Sequence, residues 1–294
     1  MKINKNLHAW CLLILLSIIW GSSPILIKKA LVSLSPIEIG ALRISSAAIV
    51  LSPFFLKVIN QINKQNLILL LLSGIIGNLI PYFLYPIAQT QIDSSTSGVL
   101  TSLTPFFALL IGGVFYKQKI YSNNIVGLIT GFLGTLCLIF FSSGNNSLNT
   151  SVYGLFVVLA TFFYGINLNL LKHHLIKIDP LTITSTSLFF ISPITIWILI
   201  QKTPFLNRLN EITINANEIL YVLILGIIGT AVATIIFYRL VKIRDTVFAS
   251  SVTYLMPIVA IFLGVWDGEV INIIQAFSIL LILFGVYWAN KKST

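Results

Sequence analysis

Charged residues are scarce in this sequence. Only 9% of its 294 residues are Asp, Glu, Lys or Arg, whereas 57% are hydrophobic. An ordinary soluble domain carries roughly 25% charged residues. A soluble protein of this composition could not cover its surface with polar groups, so we expect the lipid bilayer to surround most of the chain.

Cysteine is nearly absent as well. Cys11 and Cys137 both lie inside apolar stretches, which excludes a disulfide framework and a cysteine-based metal site. The sequence also lacks a nucleotide-binding loop and a nucleophile with a neighbouring base, so an ATP-driven pump and an intramembrane hydrolase have no support. We therefore predict no catalytic residue, no metal and no cofactor.

Basic residues outnumber acidic ones by 18 to 8. They form short clusters between apolar runs rather than one basic face, so we predict no nucleic-acid partner. With the N-terminus in the cytoplasm, thirteen Lys and Arg fall on the inside and four on the outside, and Arg43 is embedded. Because cytoplasmic loops carry the excess of positive charge, we predict an inner (plasma) membrane protein with both termini in the cytoplasm.

Ten apolar windows are each about 20 residues long, which is the length that a membrane-spanning helix needs. The predicted fold class is therefore an all-α integral membrane protein with ten transmembrane helices and short connections. The windows are 8–31, 36–58, 67–88, 94–116, 123–142, 152–172, 180–200, 218–240, 246–266 and 272–290.

The two halves of the chain repeat. Trp20-Gly21 corresponds to Tyr164-Gly165 at a distance of 144 residues, and Pro105 corresponds to Pro257 at a distance of 152. Each half, 1–143 and 144–294, holds five predicted helices. Because five is odd, the second half would enter the membrane upside down, and such inverted repeats are typical of secondary transporters.

The order of short motifs resembles the drug/metabolite transporter superfamily, EamA type, over the whole chain. One motif departs from the family, because the acidic residue that closes the fourth helix is replaced by Lys117. The resemblance implies transport of small organic metabolites, amino acids or amphipathic compounds, often as export. The motifs are Trp20-Gly21-Ser22-Ser23-Pro24, Pro36, Ala41-Leu42-Arg43, Ser97 to Pro105, Gly112-Gly113, Ser250 to Pro257, Gly264, Glu269 and Gly285.

Prolines lie near the centres of the fourth and ninth predicted helices. A proline inside a helix leaves the carbonyl four residues earlier without its usual partner, and here those carbonyls belong to Thr101 and Thr253. We interpret Pro105 and Pro257 as hinges beside a substrate cavity. The alternative is a plain kink in which the threonine's own side chain satisfies its carbonyl.

Polar and aromatic side chains recur at helical spacing near the predicted membrane centre. Asn78, Tyr82 and Tyr85 share one helix face, and Thr230 and Thr234 share a face of the corresponding helix in the second half. Such stripes either line a cavity or join helices by hydrogen bonds. The predicted cavity consists of Trp20, Asn78, Tyr82, Tyr85, Thr101, Tyr164, Thr230, Thr234, Thr253 and Tyr254.

Arg43 lies about seven residues inside the second predicted helix. It could contact an anionic group of a substrate. We favour a structural role instead, in which Arg43 reaches toward the outer surface or pairs with Glu38, because the corresponding residue of the second half is Ser187.

The predicted function is secondary transport by alternating access in the direction of export, with a small molecule and the bilayer as partners. An uptake carrier or an organophosphate/sugar exchanger is the alternative within transport. A membrane scaffold or an integral-membrane enzyme is the alternative from another class. No acid lies near the membrane centre, so we expect exchange or facilitated diffusion rather than proton coupling. A monomer and a homodimer both remain open.

Overall fold

Every regular element of the computed structural model is helical in the residues that it describes, which are 5–59, 62–118, 121–141, 147–211, 213–243, 249 and 252–290. We number the helices in chain order. They are α1 (Lys5–Gly21), α2 (Ser23–Ala30), α3 (Pro36–Val58), α4 (Lys64–Gly74), α5 (Ile80–Ala88), α6 (Ser94–Thr101), α7 (Thr104–Tyr116), α8 (Ser122–Phe141), α9 (Ser147–Leu170), α10 (Pro180–Gln201), α11 (Phe205–Asn210), α12 (Ala216–Gly226), α13 (Ala233–Ile243), α14 (Val252–Trp266) and α15 (Ile273–Asn290).

Seven helical stretches of the described chain are long and apolar enough to cross a membrane. They are Leu7–Ala30, Pro36–Val58, Lys64–Ala88, Ser94–Tyr116, Val152–Leu175, Pro180–Gln201 and Ala216–Ile243. Three further helices are also apolar but shorter, and they are Ser122–Leu138, Leu255–Trp266 and Ile273–Gly285. Each predicted window overlaps one of these ten helices, although 142, 246–248, 250 and 251 lie outside the described residues.

Several of these stretches are interrupted near their middles. The first is broken at Ser22, where Pro24 follows at the start of α2, a position at which its missing N–H costs little. The fourth is broken at Ser102 and Leu103, between α6 and α7, and Pro105 begins the second piece. Irregular backbone at such a depth is tolerated where protein or a wet cavity satisfies its polar groups.

Two π-helical turns interrupt the stretches Lys64–Ala88 and Ala216–Ile243 at corresponding positions. They cover Ile75–Leu79 and Ile227–Val232, which begin 152 residues apart within the repeated Gly-Ile-Ile-Gly motifs. A third π-helical turn, Leu171–Leu175, continues α9. Single π-helical turns inside α-helices often occur at functional sites.

Glycines permit the same close approach in both halves. A Cβ added to Gly21 would lie 2.7 Å from the Cβ of Val259, and one added to Gly165 would lie 2.7 Å from the Cβ of Phe107. The two partners, Phe107 and Val259, are 152 residues apart, as the two π-helical turns are. In each case the first stretch of one half therefore packs backbone-close against the fourth stretch of the other half.

A second pair of contacts follows the same rule. A Cβ on Gly74 would lie 2.6 Å from the carbonyl oxygen of Ser187, and a Cβ on Gly226 would lie 2.6 Å from that of Arg43. Helices α3 and α10, which carry the two carbonyls, are thus held against the glycines that precede the π-helical turns. These contacts bring Arg43 to the centre of the protein.

Candidate functional site

A cavity of about 280 Å³ lies between helices of the two halves. Aromatic and small polar side chains make up most of its wall, and no Asp or Glu lines it among the described residues. The wall is formed by Trp20, Ser23, Pro24, Ile27, Arg43, Gly77, Asn78, Tyr82, Tyr85, Thr101, Thr104, Pro105, Ala108, Leu109, Gln118, Tyr164, Asn167, Leu168, Asn169, Leu171, Lys172, Thr234, Phe237, Tyr238, Thr253 and Met256.

Most residues that the sequence predicts for the site line this cavity. They are Trp20, Arg43, Asn78, Tyr82, Tyr85, Thr101, Pro105, Tyr164, Thr234 and Thr253. Thr230 is fully buried behind the wall, where it contacts Arg43. Pro257 is buried within α14 rather than in the wall, and the side chain of Tyr254 lies outside the described residues.

Arg43 points into the cavity and does not pair with Glu38, so the pairing expected from the sequence is wrong. Its Nε donates a hydrogen bond to Thr230 Oγ1 at 2.9 Å, and its guanidinium lies 3.8 Å from the ring centre of Tyr82. Glu38 is bound instead by Arg208, whose Nη1 is 3.1 Å from Glu38 Oε2. Only 5% of the Arg43 surface is exposed, so the expected approach to the outer surface does not occur either.

The π-helical turn 227–232 supplies the groups that hold Arg43 and Trp20. Trp20 Nε1 donates to the carbonyl of Gly229 at 3.0 Å. The hydroxyl of Thr230 donates to the carbonyl of Leu225, five residues earlier, at 3.0 Å, and accepts from Arg43. The turn frees carbonyls from the regular helical pattern, and distant side chains satisfy them.

A neighbouring side chain satisfies the backbone carbonyl that is freed near Pro105. Thr104 Oγ1 donates to the carbonyl of Thr101 at 2.9 Å, which is the carbonyl that the proline leaves without a partner. The hydroxyl of Thr101 donates to the carbonyl of Ser97 at 2.8 Å and lies 2.9 Å from the hydroxyl of Tyr85. A threonine side chain therefore satisfies the freed carbonyl, but it is that of Thr104 and not, as the kink alternative supposes, that of Thr101 itself.

Several polar residues of the wall were missed from the sequence, among them Asn167, Asn169 and Gln118. Asn167 Oδ1 accepts a hydrogen bond from Ser73 Oγ at 2.7 Å, and Asn169 Nδ2 donates to the carbonyl of Ala108 at 2.8 Å. Asn167 comes three residues after Tyr164 and so lies on the same helix face, a spacing that would have identified it.

Ion pairs lie beside one end of the cavity, next to Ile27 of its wall. Lys28 Nζ lies 2.8 Å from Asp267 and 2.9 Å from Glu269, and Lys29 also pairs with Asp267. Glu269 accepts hydrogen bonds from the backbone N–H of Ser94 and of Ser95 at 3.0 Å and from the Ser94 hydroxyl at 2.6 Å. Its carboxylate thus caps the N-terminus of α6, where helical N–H groups lack internal partners.

Hydrogen bonding keeps the Glu269 carboxylate ionised. Burial alone would raise its pKa, but the bonds from Ser94, Ser95 and Lys28 outweigh burial and lower the pKa of Glu269 to about 2. The bonds from Lys28 and Lys29 also lower the pKa of Asp267. Both carboxylates therefore carry full charge at neutral pH.

At the opposite end of the cavity, the described residues form no corresponding ion pair. Gln118 packs against Gly112 as Glu269 packs against Gly264, and its amide contacts Asn169 at 3.4 Å. Lys117 adopts a left-handed backbone with φ of 52°, which shifts the register by one residue. Gln118 rather than Lys117 therefore takes the place that Glu269 has in the second half.

Lys172 stands at this second end as Lys28 does at the first, and it is exposed. Ile27, one residue before Lys28, is only 1% exposed. The wall residue at the Lys28 end is therefore buried, and the one at the Lys172 end is exposed.

Comparison with known proteins finds similarity over almost the whole chain. The profile of the EamA-like transporter family matches residues 8–140 and 152–291. An uncharacterized transporter of Archaeoglobus fulgidus is 26% identical over 289 residues, which cover 96% of this chain and 99% of that protein. The uncharacterized transporter YxxF of Bacillus subtilis is 30% identical over 188 residues, 63% of this chain and 57% of that protein.

A solved structure resembles the fold. A crystal structure of another protein superposes with a TM-score of 0.65 over 96% of both chains, at 16% sequence identity. At this identity the similarity concerns the fold alone. The helical arrangement is thus one that a crystallised protein also adopts.

Proposed function

The chain belongs to the EamA-like transporter family, and on this basis we propose that it is a secondary transporter that moves small organic metabolites by alternating access. Family membership and the long apolar helices make the chain a multi-pass membrane transporter rather than an enzyme. The substrate is a small molecule, and the lipid bilayer surrounds the protein. The observation that carries the proposed mechanism is a central cavity whose wall is buried beside the ion pairs of Lys28 and exposed at Lys172, which we interpret as one closed end and one accessible end.

The proposal includes ten membrane-spanning helices in two inverted halves, 1–143 and 144–294. The recurring contacts of Gly21 with Val259 and of Gly165 with Phe107 support this arrangement. So do the matched π-helical turns. If the halves exchange conformations, the Lys28 end opens while the Lys172 end closes, and the cavity faces the other side of the membrane.

We place the protein in the inner membrane with both termini in the cytoplasm, as the distribution of Lys and Arg favours. Lys172 then stands at the cytoplasmic end, so the cavity as described is accessible from the cytoplasm. A carrier that loads from this side suits export. Pro105 and Pro257 serve as the hinges of the two corresponding helices, and the protein acts as a monomer or as a homodimer.

Flux into proteoliposomes tests this function. A defined mixture of amino acids, hydroxy acids, keto acids, sugars, nucleosides and polyamines is placed outside, and mass spectrometry identifies what enters. Ala108 lines the cavity, so Ala108→Trp should abolish entry, whereas Leu133→Trp on an exposed helix face should not. Equal flux through both variants, or no flux above empty liposomes for the wild type, would contradict the proposal.

An organophosphate exchanger is the alternative that the same experiment addresses. Phosphorylated cargo would be expected to need several basic side chains in the wall. The described wall holds Arg43 centrally and Lys172 at the accessible end. Entry of sugar phosphates in exchange for internal phosphate would favour this alternative over metabolite export.

A further inference from the structure

The Arg43 guanidinium is a buried cation with free hydrogen-bonding capacity. Its Nε is occupied by Thr230, and its face lies over the Tyr82 ring. Its two terminal nitrogens, Nη1 and Nη2, make no hydrogen bond to any residue that the structure describes. Since only 5% of the residue is exposed and it lines the cavity, these donors are presented to whatever enters.

No carboxylate of the described chain neutralises this cation. The described ion pairs join Lys28 and Lys29 to Asp267 and Glu269, and Arg208 to Glu38, all outside the cavity wall. A charged side chain at membrane depth is costly, and proteins normally pair such groups or expose them to a water-filled pathway. The wall therefore carries a fixed positive charge that an anionic ligand would complete.

The surroundings of Arg43 indicate the rest of the ligand. The rings of Tyr85 and Tyr164 stack with centres 6.1 Å apart, and those of Trp20 and Phe237 lie 5.1 Å apart, so the wall beside the guanidinium is largely aromatic. Aromatic faces suit an apolar or ring-bearing body. A volume of about 280 Å³ lies just below the range of roughly 300–1,000 Å³ that is usual for drug-sized ligands, so the body must be small.

We infer that the cargo is a small organic carboxylate with an apolar or aromatic body, and that Arg43 binds its carboxylate through Nη1 and Nη2. The planar guanidinium presents two parallel N–H donors that match the two oxygens of a carboxylate. A doubly charged phosphate would leave part of its charge unpaired on one arginine. This inference rests on the proposed transport function and adds to it the chemical class of the cargo.

The test uses the wild-type full-length protein in liposomes and two variants. The metabolite mixture is supplemented with phenylalanine, 3-phenyllactate and the primary amide of each. We expect wild-type protein to admit carboxylates at least tenfold faster than their amides. Arg43→Gln should lower carboxylate entry by roughly tenfold or more, which corresponds to about 1.4 kcal/mol of lost binding. Lys202→Gln removes one exposed positive charge far from the wall and should leave entry unchanged.

The outcomes separate this inference from the function beneath it. Entry only of sugars, nucleosides or polyamines, or equal entry of acids and amides through the wild type, would overturn the inference but leave transport intact. Equal carboxylate entry through Arg43→Gln would also overturn it. No entry of any compound would refute the proposed function itself. If Arg43→Gln does not fold, the wild-type ratio of acid to amide still decides, and Arg43→Lys replaces it, since lysine lacks the two-pronged geometry.

Discussion

Replacing Glu269 by glutamine should open the end of the cavity beside Lys28. The carboxylate binds Lys28 at 2.9 Å and caps α6 through Ser94 and Ser95. Glutamine has nearly the same shape but no charge, and its amide nitrogen cannot accept the N–H bonds of a helix terminus. If the contacts exist only while this end is closed, losing them favours the state that is open there.

The pKa of Glu269 gives the size of the effect. The difference between its ordinary pKa of 4.5 and about 2 corresponds to about 3 kcal/mol of stabilisation of the charged form. Only 9% of the residue is exposed, so little of this is lost to solvent screening. A change of this size shifts a two-state equilibrium by on the order of a hundredfold.

The same pKa predicts how the closed end responds to acid. A carboxylate whose pKa is lowered stabilises the closed end fully above its ordinary value of 4.5, and this contribution is lost as the pH falls toward about 2. Between pH 5 and 8 Glu269 stays ionised. We therefore expect the closed end of the wild type to be insensitive to pH across that range.

Thiol labelling measures the opening. Ile27→Cys, in a background without the two native cysteines, places a thiol in the wall beside Lys28. An impermeant thiol reagent added from the periplasmic side should label it at least tenfold faster in Glu269→Gln than in the parent, and Lys202→Gln should not change the rate. If labelling stays at the parental rate while the melting temperature falls, Glu269 stabilises the fold and does not hold this end closed.

Four further predictions concern topology, hinge, packing and energy coupling. Cysteine at exposed Asn210 should react from the periplasmic side and cysteine at exposed Ser122 from the cytoplasmic side, and reversed labelling would contradict the orientation. Pro105→Ala should slow flux per folded molecule more than it lowers folded yield; unchanged flux would make the break a plain kink. Gly226→Ala should lower the melting temperature, because its Cβ would lie 2.6 Å from the Arg43 carbonyl oxygen. The control Gly131→Ala, whose Cβ would lie 3.9 Å from its nearest neighbour, should fold at least as well as the wild type. Gel filtration and thermal melts measure both. An imposed pH gradient without a substrate gradient should accumulate nothing, and uphill accumulation abolished by an uncoupler would reveal proton coupling.

Sequence composition predicted where the helices lie because membrane helices must satisfy every backbone group internally, which makes long apolar windows almost unambiguous. The windows 36–58 and 94–116 coincide with the apolar helical stretches Pro36–Val58 and Ser94–Tyr116. The same windows gave no sign of the π-helical turns. Trp20 and Arg43 bind groups of Ile227–Val232 from other helices, and such distant partners are not visible in a local window.

Helical spacing predicted much of the cavity for a related reason. Asn78, Tyr82 and Tyr85 lie on one face, and a polar face in a membrane helix must turn toward the protein interior. Thr230 shows the limit of this argument. It shares a face with Thr234, but the Arg43 side chain binds its hydroxyl, and Thr230 lies behind the wall while Thr234 lines it.

The error over Arg43 had a physical cause that the sequence already contained. Residues five apart on an α-helix point about 140° away from each other, so Glu38 and Arg43 of α3 cannot meet on one face. Ser35-x-x-Glu38 is also the signature of a capping box, and the Glu38 carboxylate does accept the backbone N–H of Ser35 at 2.7 Å while the Ser35 hydroxyl accepts that of Glu38. Recognising the cap would have removed Glu38 as a partner. An arginine left without an acid at membrane depth then predicts a contact with cargo rather than a structural ion pair.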